Sequence, residues 1–297
     1  MAQIDVLIPH RLNGEKIFPV VRGVARDCNA TFPDHVTIDF SRLGYVLPSG
    51  ITFLSNFIHW LRGLGATVNF TGYNRDVDCI HFLDDSLFFQ QFLGKKLRNW
   101  ASPRETTRPL VQARHEQSQS EVRDHFIPWL MTRLNMSRNS LYEVQNNILE
   151  IFNNIQDHSS LDIGCLFAQH FPKLNRVSVA IADFGIGIPA TVRKVSPNLS
   201  DNAAIILAAQ RGFTSGRQPR NKGEGLSILM DTVVVQNQGA VTIYSQGGAV
   251  TFRADRGRII PQPWRVHGFC PGTTIEIWLR TDTLPCFPDE EDEVLEW

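Results

Sequence analysis

Residues 141–158, LYEVQNNILEIFNNIQDH, carry two registers at once. Leu141, Val144, Ile148, Ile151 and Ile155 recur at alternating intervals of three and four, the spacing of one helical face. Glu150, Asn154 and His158 recur every fourth residue. At about 100° per residue each stands only about 40° around the helix from the last. The segment must therefore be an amphipathic helix that lays its apolar stripe on a sheet or another helix, with a polar stripe beside it. Ser140 followed by Glu143 reads as the capping box that starts it. The wet side of an ordinary surface helix is one account of the polar stripe. Chemistry offers another: a carboxylate one turn from a carboxamide can hold an attacking water or hydroxyl with the first and a Mg²⁺ with the second, since that ion takes oxygen ligands and keeps several waters.

What precedes this helix alternates strand-like and helical text. Residues 4–9 (IDVLIP), 36–40 (VTIDF), 67–70 (TVNF) and 79–82 (CIHF) read as strands, and residues 50–65 place Ile51, Leu54, Phe57, Ile58 and Leu61 at helical intervals. Strand, helix, strand implies an open α/β sheet over residues 1–98. Residues 93–123 hold seven Lys or Arg against three Glu, with two prolines. They read as a basic, solvated connector, so residues 99–136 are expected to form a linker and connecting helix. A second helix then runs from about 141 to 157, followed by a strand over 176–182, a polar insert, a helix near 225–236, a hairpin and a last strand over 273–279. Residues 289–297, DEEDEVLEW, are six parts acid in nine, so residues 283–297 read as a solvated acidic tail.

The chain has 297 residues, 42% of them hydrophobic, enough for two cores of ordinary size. A net charge of −1 gives no global attraction to nucleic acid or to an anionic membrane. The five cysteines, Cys28, Cys79, Cys165, Cys270 and Cys286, are scattered and unpaired in spacing, as reduced core thiols are. With no signal-like start and no apolar run of about 18 residues, the expected location is the cytoplasm.

Two glycine-bearing motifs follow the striped helix. The strand RVSVAIA ends in Asp183-Phe184-Gly185-Ile186-Gly187. A carboxylate there can accept a hydrogen bond from a base amine, and glycines without Cβ atoms let a flat ring approach the backbone. Equally, D-x-G-x-G is what an ordinary turn between strands looks like. Downstream, Lys222-Gly223-Glu224-Gly225-Leu226 opens a helix, and free amides at a helix start beside a lysine suit phosphate. Neither the Walker nor the Rossmann glycine pattern is present.

Taken in order, E-x-x-x-N-x-x-x-H at 150–158, D-x-G-x-G at 183–187, G-x-G-L at 223–226 and Gly272-Thr273-Thr274 make residues 137–282 resemble the GHKL ATPases: gyrase B subunits, the heat-shock chaperone ATPase, MutL, histidine kinases and anti-sigma serine kinases. The resemblance implies a Bergerat-type α/β sandwich with a mixed sheet, holding ATP and Mg²⁺ between sheet and helices. Carried over residue by residue, Glu150 would be the general base, Asn154 the Mg²⁺ ligand and Asp183 the acceptor of the adenine amine. Gly185 and Gly187 would shape the base pocket, with Thr273 beside Asp183. Lys222, Gly223, Gly225 and Leu226 would meet the phosphates, and residues 190–222 would be a mobile lid. His158 would pack or bond at the helix end. Histidine kinases usually lack the acid at the position of Glu150, because an imidazole acceptor needs no base, so the resemblance points to hydrolysis or serine phosphorylation.

Residues 36–70 resemble, more faintly, a STAS domain, with Ser49-Gly50 where that family carries its phosphorylatable serine; Leu47-Pro48 departs from the family's usual Asp-Ser. Three functions are open at this point: an Mg-ATP-dependent regulatory switch that hydrolyses ATP, a protein serine kinase of the partner-switching type, and a non-catalytic nucleotide sensor. Each implies a protein partner, and the family's habit of pairing adds a homodimer; none implies nucleic acid or a membrane.

Overall fold

The computed structural model describes residues 3–27, 33–158, 163–213 and 225–288. In chain order it runs β1 (Gln3–Leu7), β2 (Arg11–Leu12), α1 (Gly14–Asp27), β3 (His35–Asp39), β4 (Tyr45–Val46), α2 (Pro48–Gly63), β5 (Thr67–Thr71), α3 (Asp78–Asp85) and α4 (Phe88–Leu93). Then come β6 (Thr107–Arg114), α5 (His115–Ser120), a π-helical turn, α6 (Ile127–Leu134), α7 (Tyr142–His158), β7 (Ile163–Phe171) and β8 (Arg176–Asp183). After α8 (Ile188–Arg193), α9 (Asp201–Ala208) and α10 (Gly225–Leu229), the strands β9 (Ala240–Gln246), β10 (Gly248–Asp255), β11 (Arg258–Pro263) and β12 (Cys270–Arg280) complete the fold.

The fold is mixed α/β around a large sheet of seven strands in the order β11-β10-β9-β12-β8-β7-β6. Every neighbouring pair in it is antiparallel, where a mixed sheet was expected. A separate three-stranded parallel sheet, β1-β3-β5, is built by the first part of the chain.

Alternation sorts the long sheet into two faces. On the front, Val177, Val179 and Ile181 of β8 join Val241 and Ile243 of β9 and Ile275, Ile277 and Leu279 of β12. These rows receive Leu141 from the turn before α7 and Val144, Ile148, Ile151 and Phe152 from α7, so the predicted apolar stripe meets its predicted kind of partner as far as it is described; the Ile155 side chain lies outside the described residues. On the back, Cys165, Phe167, Ala182, Tyr244 and Cys270 share one core with α1, α2 and the parallel sheet. Helix α2 thus lies between the two sheets, and Ile51, Phe53, Leu54, Phe57, Ile58 and Leu61 are all fully buried there. That explains why its sequence is apolar nearly all round.

Three further readings need correction, the expected lid is described only in part, and one strand was missed. CIHF is helical, within α3, because Cys79-Ile80 and Phe82-Leu83 repeat at three residues and face one side; a four-residue apolar run cannot by itself choose between strand and helix. The basic connector contains β6, the edge strand beside β7. A register shift between Arg108 and Val111 spoils its alternation, and Pro109 is tolerated because it is at an edge. Ser140 is not the cap it resembled: its hydroxyl accepts from Phe287 N at 2.7 Å, so the start of the expected tail docks onto the entry to α7. Of the expected lid, residues 190–213 carry the end of α8 and all of α9, with Arg193 paired to Asp201 and Asp201 accepting from Gly247 N at 2.9 Å, and residues 214–222 lie outside the described residues. Finally β7, unforeseen, has its middle buried on both faces and so shows no alternation to read. No helix among the described residues is long and apolar enough to cross a membrane.

Candidate functional site

The front face turns polar at one rung. Ser245 of β9, Thr273 of β12 and Asp183 of β8 are direct neighbours in register, one step beyond the apolar rung Ile243, Ile275 and Ile181. Because residues two apart on a strand share a face, these three side chains stand on the side where α7 packs, at the margin of its core. The Ser245 hydroxyl lies 3.0 Å from Thr273 Oγ1 and 2.9 Å from the carbonyl of Gly272.

Asp183 is half-buried, and its carboxyl is pushed up to about 6 by desolvation, with hydrogen bonds from the Gly185 amide and from Thr273 backbone and hydroxyl opposing the shift. Gly185 N donates to Oδ1 at 2.6 Å. At neutral pH the group is therefore chiefly an ionised acceptor, held by donors on its flanks. The turn after it is fixed at Gly187, whose φ of +86° is open to glycine at little cost. A Cβ there would also stand 2.7 Å from Ser245 Oγ, which instead accepts from Ile188 N at 3.0 Å. The D-x-G-x-G motif is thus tied to the rung at both ends. Ser245 was missed by sequence reasoning, although the Val241, Ile243, Ser245 alternation holds a readable sign of a hydroxyl closing an apolar row.

The second cluster joins two helices. Glu150 and Asn154 are both partly buried on α7, and Asn153 Nδ2 donates to Glu150 Oε2 at 3.3 Å. Gly225, first residue of α10, comes so close that a Cβ on it would lie 2.4 Å from Glu150 Oε1 and 2.5 Å from its Cγ. A larger residue there would have to push the Glu150 carboxylate aside, and the approach sets the N-terminus of α10 beside the candidate base. Leu226 packs its partly buried side chain on the front core. Lys222 and Gly223 lie outside the described residues, as does the His158 side chain.

Ser49, the candidate phosphorylation site, is fully buried. Its hydroxyl accepts from Gly14 N at 3.1 Å, and the Glu276 carboxyl lies near it under α2. It is not open to a kinase in this structure. Cys79, Cys165 and Cys270 are buried free thiols and Cys286 an exposed one.

No protein-family model matches the chain, and no curated protein matches it. Among solved structures, similarity is found to the B-subunit of the DNA gyrase from Myxococcus xanthus, at 14% identity over 38% of this chain and 28% of that one, with a TM-score of 0.22. It is also found to the topoisomerase IV ATP-binding domain of Francisella tularensis, solved with a small-molecule inhibitor, at 12% identity over 61% and 45% of the two chains, TM-score 0.28. The chain thus spans less than half of either, and superpositions this loose carry no argument about its function.

Proposed function

We propose that the chain binds Mg-ATP on the front face of its long sheet and works as a nucleotide-dependent switch that hydrolyses ATP through Glu150. The observation that carries this is the rung: an ionisable carboxyl at a strand end, flanked by glycine and hydroxyl neighbours, on the same face as a helix bearing a carboxylate and a carboxamide one turn apart.

The residues fit the nucleotide they imply. Asp183, ionised above about pH 6, can accept from the exocyclic amine of adenine while Gly185 occupies part of its acceptor capacity. Gly225 brings the first turn of α10 against Glu150, and a helix start favours the charge of an anion. Glu150, on this reading, takes a proton from the attacking water. A Mg²⁺ would take one oxygen from Asn154 and the rest from phosphate and water. When bound, that ion supplies neutralisation of phosphate charge.

Transfer to Ser49 within the chain is disfavoured by its burial. Hydrolysis therefore leads the alternatives, and a kinase reading needs a serine on a partner protein. Calorimetric titration of the full chain with ATP, with and without Mg²⁺, and with GTP tests the proposal. Magnesium-dependent binding of ATP, with GTP weaker by at least tenfold, is expected, because guanine presents a carbonyl where adenine presents its amine. Equal binding of both would remove Asp183 from the base pocket.

A further inference from the structure

Helix α2 belongs to the first part of the chain, yet its middle turns touch the strand end that carries the site. Asn56 is 1% exposed. Its Nδ2 donates to the backbone carbonyl of Asp183 at 2.7 Å, a contact across 127 positions of sequence. One helical turn on, the His59 ring lies 4.6 Å, centroid to centroid, from the ring of Phe184, the residue between Asp183 and Gly185. His59 is itself held: Gln112 of β6 places Nε2 2.5 Å from His59 Nε2 and 3.1 Å from Ser55 Oγ, and Phe92 packs edge-on against the imidazole. Burial and the nearby Arg62 lower the His59 pKa, so at neutral pH the imidazole is an uncharged ring against Phe184.

We propose that Asn56 and His59 are positioning residues for the nucleotide pocket: from behind the sheet they fix the Asp183-Phe184 backbone, so that base binding in front and the seating of α2 behind are coupled through one turn. The inference rests on the nucleotide reading and deepens it by naming the element that responds. The carbonyl that Asn56 holds belongs to the residue whose carboxyl meets the base, and the next residue is clasped by His59. A ligand that orders this turn must also order α2, and by linkage whatever loosens α2 must weaken the ligand by the same factor. No such contact could be anticipated from sequence, since neither residue lies in a motif.

The experiment uses the full chain. Hydrogen exchange of the amides over residues 48–63 is followed with and without Mg-ATP, and ATP and GTP affinities are measured for the unaltered chain, Asn56→Leu and His59→Ala. The proposal expects slower α2 exchange on ATP addition. It also expects a loss of about tenfold in ATP affinity in Asn56→Leu, a smaller loss in His59→Ala, and a narrowed ATP-over-GTP preference in both. Should Asn56→Leu fail to fold, the exchange data on the unaltered chain decide. ATP binding by the unaltered chain with α2 exchange unchanged, or with ATP and GTP weakened in the same proportion by Asn56→Leu, overturns this inference and leaves the nucleotide reading standing. Absence of ATP binding by the unaltered chain sinks both.

Discussion

The two faces of the long sheet bury carboxyl groups in opposite ways, and one strand, β12, serves both. Its front residue Thr273 hydrogen-bonds Asp183 at the sheet's margin; its back residue Glu276 lies in mid-strand, 5% exposed, among Ser49, Tyr244, Trp278 and Ser178. Desolvation pushes Asp183 up to about 6 and Glu276 up to about 7. Read as perturbed acids alone, both would be site candidates, and Glu276 the stronger. Geometry separates them. Asp183 is half-buried at a strand end beside a glycine turn, whereas Glu276 lies under α2, with Oε1 lacking any hydrogen-bond partner among the described residues. A raised pKa marks burial and does not by itself mark a site.

The largest expected effect follows from the candidate base. Glu150→Ala should lower ATP turnover by about 10²–10⁴ while ATP affinity stays within a few-fold, as steady-state phosphate release and calorimetry would show. Turnover unchanged in that variant removes Glu150 from the chemistry. Asp183→Asn should weaken ATP binding by about 10–100-fold, the worth of a hydrogen bond to a charged group, whereas Glu276→Gln should leave affinity within about twofold. If the back-face substitution hurts binding as much as the front-face one, the contrast between the faces fails.

Gly225→Ala sharpens the front face alone. The added methyl meets Glu150 at 2.4 Å, and the flexible carboxylate must swing aside. A fall in turnover of about tenfold to a hundredfold with little change in melting temperature is expected, because misplacing a reacting group costs rate more than stability.

The smallest effect is on pH, and the two faces should respond oppositely. ATP affinity should fall as pH drops through about 6, because a protonated Asp183 no longer accepts freely from the amine. Stability of the unliganded chain should move the other way. Glu276 has a folded value raised above its ordinary 4.5, so its contribution is fully present below about 4.5 and is lost as pH rises through about 7. Glu276→Gln should thus raise the melting temperature at pH 8 and not at pH 4.5. A gain that is the same at both pH values would show that packing, not charge, is being read.

Legibility in the sequence followed the range of the forces involved. The apolar stripe of α7, the core helix α2 and the strand before Asp183 were readable because their signals are periodic and local. The D-x-G-x-G turn was readable as a turn, and the structure adds the Gly185 amide as a donor to its carboxyl. What escaped was set by distant partners. β6 hid behind a register shift and an edge proline, β7 behind burial on both faces, and the Ser140 cap was taken by backbone 147 positions away. Ser49 matched the place of a phosphorylatable serine, and nothing local announces that Gly14 bonds it and Glu276 lies near it under α2. Asn56 and His59 lie beyond any motif, since only the packing of α2 on the sheet brings them to Asp183 and Phe184.

The most direct measurement of the central claim is a crystal structure of the full chain with Mg²⁺ and a non-hydrolysable ATP analogue. The account predicts the adenine amine within hydrogen-bond distance of the Asp183 carboxyl, beside Thr273, with the phosphates at the α10 N-terminus near Glu150 and Asn154. A nucleotide bound elsewhere, or side chains from α7 closing over the Asp183 rung so that no base can enter, would contradict it.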